Sequence, residues 1–218
     1  LNPAIQRDLV DIQLWNIRDW AQGKHRWVDD RPVGGAAGMV IMADPVYRAI
    51  EAVRPQHPEE GTLILLTPGG QRLTQSLVQD LSQKKRLLLL CGRYEGFDER
   101  IRQGLKPIEI SIGDFVCNGG EVAAMVVIDT VIRFVPGVLG DPESLTEESH
   151  AEPGVVEYPQ YTRPRVYRDM EVPEVLLNGN HQAIAEWRSE QSRLRTEARK
   201  EIESQQNKEN GSDEKATD

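Results

Sequence analysis

The run TLILLTPGGQ at positions 62–71, followed by LLLLCGRYEG at 87–96, decides the fold class of this 218-residue chain. Each apolar run is too short for a core helix and stops at glycine, so each reads as a strand buried on both faces. The first should end where Pro68-Gly69-Gly70 begins. A polar helix around 76–85 separates the two runs, and strands alternating with helices imply an α/β fold whose mainly parallel sheet is covered on both sides. Upstream, Asp44-Pro45 is a helix start, with Asp as N-cap and Pro at the first helical position, and Arg54-Pro55 marks its end. Farther upstream, positions 11–17 alternate apolar and polar residues and read as another strand, and 32–38 reads as a loop. Downstream, Val122, Met125, Val126, Ile128, Val131 and Ile132 predict a helix over 121–134, buried around much of its circumference and stopped by Pro136-Gly137.

The character of the chain changes after that. Positions 139–154 are rich in Gly, Pro, Ser and Glu and read as a linker between an α/β domain at 1–138 and a small helical domain at 155–203. The latter holds a short helix over 171–177 and a long one over 181–203, with Trp187 and Leu194 as apolar anchors. From Ser204 to Asp218 almost nothing is apolar, and the tail is expected to be disordered.

A hydrophobic content of 39% with 28% charged residues is ordinary for a soluble globular protein, and no apolar run is long enough to cross a bilayer. The opening LNPAIQRDLV has neither the basic start nor the apolar stretch of a secretory signal and reads as truncated. Cys91 and Cys117 are the only cysteines. They lie far apart without metal-ligand spacing, so no zinc site or disulfide framework is expected and a reducing cytoplasm fits. A net charge of −9 argues against indiscriminate binding of polyanions. The basic residues are segregated, however: Arg163, Arg165, Arg168, Arg188, Arg193, Arg195, Arg199 and Lys200 gather in the last quarter.

Three glycine-bearing loops carry the candidate chemistry: TPGGQ at 67–71, GRYEG at 92–96 and SIGDFVCNGGE at 111–121. Loops at the carboxyl ends of parallel strands are where open α/β sheets bind ligands, and glycine lets backbone groups approach closely. Taken singly, each also reads as a plain turn. None matches the glycine fingerprints of dinucleotide or ATP sites. VDDRPVGGAAGM at 28–39 reads equally well as a mobile loop over a substrate or as a solvated connector.

Taken together, VDDRPVGGAAGM, GRYEGFDER, the block EISIGDFVCNGGEVAAMVVIDTVIRFVPGVLG at 109–140, YTRPRVYRDMEVPEVLLNGNH at 161–181 and WRSEQSRLRT at 187–196 resemble, in order and spacing, the bacterial tRNA (guanine-N1)-methyltransferases of the TrmD family. The resemblance spans positions 8–197. It implies the SPOUT architecture, in which the second half of the α/β domain is tied in a deep trefoil knot that ordinary connection rules would not suggest. It also implies a homodimer with active sites shared between chains, tRNA as substrate and S-adenosylmethionine as cofactor. The cofactor pocket would be Leu66 and Pro68 from the first loop, Gly92, Tyr94, Glu95 and Gly96 from the second, and Ser111, Ile112, Gly113, Asp114, Phe115, Val116, Cys117, Gly119 and Gly120 from the third.

Methyl transfer to guanine N1 needs a base for the N1 proton and a cation for charge developing at O6. By resemblance Arg133 is that cation; its residue-level alternative is to cap a helix C-terminus. The family's acid in the linker motif, usually Asp, falls on Glu148 of TEESH (146–150), with Glu147 and His150 as neighbouring candidates. Gln160 replaces the family's usual His and Ala123 its usual Pro. Magnesium is a further requirement the family raises, with Glu95 or Glu148 as oxygen donors, although no residue pattern forms a cage for it. The family's opening strand and its LFPE-like segment have no counterpart at the front of this chain. Its lack is expected to leave a sheet edge uncovered and lower stability. Two rival functions remain open from the sequence: a catalytically impaired tRNA-binding homologue, and a SPOUT methyltransferase with another RNA substrate.

Overall fold

The computed structural model describes residues 2–139 and 148–213. The chain divides into two units, residues 1–140 and 141–218. The first is organised by three parallel strands in the order β4-β3-β5: β3 (Thr62–Arg72), β4 (Leu87–Cys91) and β5 (Ile108–Ser111). Side chains alternate across the sheet. Leu63, Leu65 and Leu90 enter one core with Val46 and Ile50 of α2 (Ala43–Val53) and Ile101 of α4 (Glu99–Leu105). Ile64, Leu66 and Ile110 enter the other with Val78 and Leu81 of α3 (Gln75–Ser82) and Ala124, Val127 and Val131 of α5 (Gly120–Ile132). Both faces of the sheet are therefore covered, as its unbroken apolar runs require.

Local chemistry fixes the helix ends. The Thr74 hydroxyl accepts a hydrogen bond from the Leu77 amide at 3.3 Å, and Asp98 accepts one from the Arg100 amide at 2.9 Å, which caps α3 and α4 at their starts. Lys106, in a left-handed conformation at φ 46°, ends α4. Arg86 donates to the carbonyls of Val53, Arg54 and Glu59 at 2.8–2.9 Å, closing the C-terminal end of α2.

Several expectations are corrected. Positions 11–16 form no strand, Leu14 is 92% exposed, and the first ordered feature after them is a 3-10 turn, Ile17–Trp20. Alternation marks a half-buried strand only where an edge is available to pair with it, and none receives this segment. A short antiparallel ladder forms instead between β1 (Asp29–Asp30) and β2 (Val40–Ile41). β3 does not stop at Pro68: its pairing with β5 skips from Leu66 to Gln71 and resumes through Arg72. The first residues form a helix, α1 (Asn2–Gln6). Finally, α2 begins two residues early, with Met42 at its N-cap, and Asp44 instead pairs with Arg48 at 2.9 Å.

α5 is buried along one face only. Val122 and Met125 are 58% and 68% exposed in the single chain, against the all-round burial its composition suggests.

The second unit contains a hairpin of β6 (Val166–Tyr167) and β7 (Met170–Glu171), a 3-10 turn at Glu174–Leu176, and the long helix α6 (His181–Asp213). Leu194 is 44% exposed, whereas Trp187 is half-buried against Tyr161. α6 runs ten residues past the point where tail disorder is expected. The Gln-, Lys- and Glu-rich composition there is polar but keeps good helix propensity.

Candidate functional site

The parallel strands deliver their C-terminal ends to one edge of the sheet, and the three loops that follow enclose a cavity of about 230 Å³. The first loop contributes Leu66, Thr67 and Pro68. It bulges outward because β3 leaves its register there and returns at Gln71, and the return is tight. A Cβ on Gly70 would stand 2.5 Å from the backbone of Glu109 and Ile110. The second loop contributes residues 92–97. Gly92 lies against the Phe97 ring, Tyr94 takes a left-handed conformation at φ 61°, and the Glu95 amide donates to the Met39 carbonyl at 3.0 Å. That bond, with Gly38 packed on the Glu95 side chain, fastens the glycine-rich segment 28–39 to the cavity wall.

The third loop contributes residues 111–113 and 115–120. Buried Ser111 shapes its start, its hydroxyl donating to the Gly113 carbonyl at 2.9 Å and accepting from the Gly113 amide at 3.2 Å. The second and third loops are joined by a bridge between Arg93 and Gly119 and by the Gly120 amide donating to the Gly92 carbonyl at 2.8 Å. A Cβ on Gly120 would lie 2.8 Å from the Cys91 Cα, so the start of α5 crosses the end of β4 at backbone contact.

Of the residues expected at a cofactor pocket, Leu66, Pro68, Gly92, Tyr94, Glu95, Gly96, Ser111, Ile112, Gly113, Phe115, Val116, Cys117, Gly119 and Gly120 line this cavity. Asp114 does not, because its carboxylate turns outward to Arg72. Thr67, Arg93, Phe97, Arg102, Ile110, Asn118 and Ala123 also line it, beyond the residues expected there. Arg93 and Asn118 lie inside the glycine motifs, so the motifs themselves held the signal. Arg102 carries no motif; it reaches the cavity through ion pairs with Glu109 at 2.9 Å and Glu99 at 3.4 Å.

Arg93 is likewise paired, with Glu121 at 2.9 Å. Among the described residues Glu95 forms no ion pair, which leaves the cavity lining with one uncompensated carboxylate. Burial, helped by the Glu121 charge, pushes the Cys91 thiol up to about 11, so it is not a thiolate nucleophile at neutral pH. Among the described residues no cluster of His, Cys, Asp and Glu could hold a metal ion, and no helix is long and apolar enough to cross a membrane.

Arg133 and Glu148 are not on these loops. Arg133 is the residue that follows α5 at its C-terminal end, about 20 Å along the axis from Gly120 at a rise of 1.5 Å per residue. The capping alternative thus describes its position. Glu148 belongs to the second unit, half-buried, with its carbonyl accepting from the Ala151 amide at 3.1 Å. Glu147 lies outside the described residues. The Nε2 of His150 stands 2.6 Å from an Arg199 guanidinium nitrogen, which can only donate, so that ring nitrogen's lone pair is already engaged.

A parallel α/β sheet with a glycine-walled cavity at the carboxyl ends of its strands defines a class of enzyme that holds a small ligand largely through backbone groups. The particular family follows from comparison: the model of the tRNA (guanine-1)-methyltransferase family TrmD matches residues 1–205, and the chain belongs to that family. It is 53% identical over 198 residues to a tRNA (guanine-N(1)-)-methyltransferase of Rhodopirellula baltica, covering 90% of this chain and 82% of that protein. It is 52% identical to one of Thermomicrobium roseum over 92% of this chain and 74% of the relative. For one of Geobacillus kaustophilus the figures are 50%, 90% and 80%.

Proposed function

We propose that this protein methylates N1 of the guanine immediately 3′ of the anticodon in tRNA, with S-adenosylmethionine as donor, in the cytoplasm. The observation that carries this reading is the cavity. Its walls include Gly92, Gly96, Gly113, Gly119 and Gly120, which carry no side chain and so let an adenosine-sized ligand lie close against the loop backbone, and Glu95 offers a negative charge to a cationic one. These residues fit S-adenosylmethionine, which when bound supplies an electrophilic methyl group. The backbone crossings at Gly70 and Gly120, too close for any side chain, support a deep trefoil knot of the SPOUT type around it.

The chain's own groups supply the rest. Guanine N1 carries a proton at neutral pH, and Glu148 accepts it. Arg133, always charged, offsets the negative charge that moves to O6. Glu148 has one more methylene than the family's usual Asp, and nearly the same proton affinity, about 4.3 against 3.9. Its reach, rather than its basicity, is what differs.

The active protein is a homodimer with shared sites. Two features support this: the exposed apolar face of α5, with Val122 and Met125, and the distance of Arg133 from its own chain's cavity. The second unit, with its arginines, binds the tRNA.

The cofactor assignment is tested by calorimetry on Gly113→Val. At φ 158° a side chain is strained there, and its Cβ would stand 2.4 Å from the exposed Phe115 ring, so the third loop must rearrange and S-adenosylmethionine binding is expected to be lost, with circular dichroism checking that the rest of the fold is kept. Wild-type affinity in that variant removes the cavity from the account. Mixing Gly113→Val chains with Glu148→Ala chains tests the shared site. Activity well above either parent is expected, since one cavity then keeps both its glycine and its partner's base. No recovery despite proven subunit exchange contradicts it.

A further inference from the structure

The second unit contains a groove that the methyl-transfer chemistry does not use. Residues 158–165 run alongside α6 and part from it after Val156, where the Val156 amide donates to the Thr196 hydroxyl at 3.0 Å and its carbonyl accepts from Ser192 at 2.6 Å. At the far end the Val172 amide donates to the Arg165 carbonyl at 2.9 Å. Between these ties a cavity of about 840 Å³ opens over the apolar floor of Val172, Leu176 and Ile184. Three aromatic rings wall it. Tyr161 and Trp187 lie 6.4 Å apart, tilted by 51°, and the Arg188 guanidinium sits 4.6 Å from the Tyr158 ring centre.

The charge around the groove is one-sided. Among the described residues Arg163, Arg165 and Arg188 line it and no acid does, in a chain whose net charge is −9. Farther along α6, Arg193 is neutralised by Glu190 and Glu197 at 2.6–2.7 Å and Arg199 by Glu203 at 2.8 Å, while Arg195 donates to the Glu157 carbonyl at 3.3 Å. Among the described residues Arg163 and Arg165 pair with no carboxylate. An apolar peptide would not call for two uncompensated guanidinium groups, and a regular RNA duplex hides its base faces in the stack. A single unstacked base, flanked by phosphates, matches both features.

We infer that this groove takes one unstacked nucleobase of the tRNA, stacked on Tyr161 and Trp187, with the neighbouring phosphates on Arg163 and Arg165. Gln160, exposed on the rim, offers an amide to the base edge. The inference rests on tRNA being the substrate.

The test uses the full chain and a labelled, unmodified anticodon stem–loop RNA, with a blunt RNA duplex of the same stem as control. Tyr161→Ala is expected to raise the stem–loop Kd roughly 5- to 150-fold, the equivalent of about 1–3 kcal/mol for one base–aromatic stack. Tyr161→Phe, which keeps the ring, should bind like wild type, and S-adenosylmethionine affinity should be unchanged in both. Changing Arg163 and Arg165 together to Gln should flatten the salt dependence of log K by about 1.4, two single-strand phosphates at 0.7 each. Tight stem–loop binding that Tyr161→Ala leaves untouched overturns the groove assignment alone. Equal losses on stem–loop and duplex make Tyr161 a structural residue and overturn the stacking. Failure of the wild-type chain to bind either RNA overturns the inference together with the tRNA reading beneath it.

Discussion

Gly120→Ala should destabilise the first unit and disable its cavity at once. The added Cβ would stand 2.8 Å from the Cys91 Cα and 2.9 Å from the Gly92 nitrogen, whereas carbon contacts settle near 3.5–4.0 Å. Both neighbours are backbone at the end of β4, so no side chain can turn away. The strand and helix must separate by several tenths of an ångström, which also stretches the 2.8 Å hydrogen bond between the Gly120 amide and the Gly92 carbonyl. Overpacking of this kind costs about 1–3 kcal/mol and a weakened hydrogen bond about 0.5–1.5, against a gain of up to roughly 1 from replacing glycine in a helix. The net is about 1–3 kcal/mol, or roughly 3–10 °C in Tm for a chain of this size. Gly69→Ala is the control, because nothing lies within 4 Å of its added carbon. Thermal unfolding followed by circular dichroism, with calorimetry for S-adenosylmethionine, should show Gly120→Ala shifted and unable to bind while Gly69→Ala unfolds like wild type. Equal melting temperatures for the two variants would refute the argument that these chain segments cross at backbone contact.

Other outcomes follow from the same contacts. Glu148→Gln should lower turnover by roughly 10²–10⁴-fold, as expected for a lost general base, with cofactor affinity kept and Glu148→Asp at least as active as the parent. His150→Ala should stay active, its ring being committed to Arg199; an inactive His150→Ala beside an active Glu148→Gln would move the base to the neighbour. Asp98→Ala should cost about 0.5–2 kcal/mol by uncapping α4. The hydrogen bonds from Arg100 hold the Asp98 carboxyl below its ordinary value. Its contribution is therefore complete above the unfolded value of about 3.9 and disappears as pH falls through the lower folded one. Urea midpoints of Asp98→Ala and wild type should differ at pH 7 and converge toward pH 3; a gap that widens in acid contradicts the sign.

The parts of the fold legible from the sequence are those whose partners lie on both sides of them. TLILLT and LLLLC read as buried strands because each holds an unbroken run of four aliphatic residues, and Leu63 and Ile64 do enter opposite cores. The segment at 11–16 looked like a strand for a weaker reason, alternation alone, and pairing is a property of two segments that one cannot announce. Asp29–Asp30 fails in the other direction: two acids have poor strand propensity, yet the ladder with Val40–Ile41 carries them. At the cavity the glycine motifs marked the loops, but not which side chains turn inward. Asp114 sits among lining residues in sequence and points away, because Arg72, brought alongside by the renewed pairing of β3 with β5, holds it outside. Arg102 is the reverse case, a helix residue with no motif, carried to the cavity by its bond to Glu109. Val122 and Met125 mark α5 as apolar all round without saying what covers its outer face.

The central claim is the reaction itself. Incubating the chain with methyl-labelled S-adenosylmethionine and an unmodified tRNA whose anticodon is followed by guanine, then mapping the label by nuclease digestion and mass spectrometry, tests it directly. The account predicts one methyl group, on N1 of that guanine, and none when the guanine is replaced by adenine. Label on another nucleotide, or a well-folded chain that binds the cofactor and both RNAs yet transfers nothing, would contradict it.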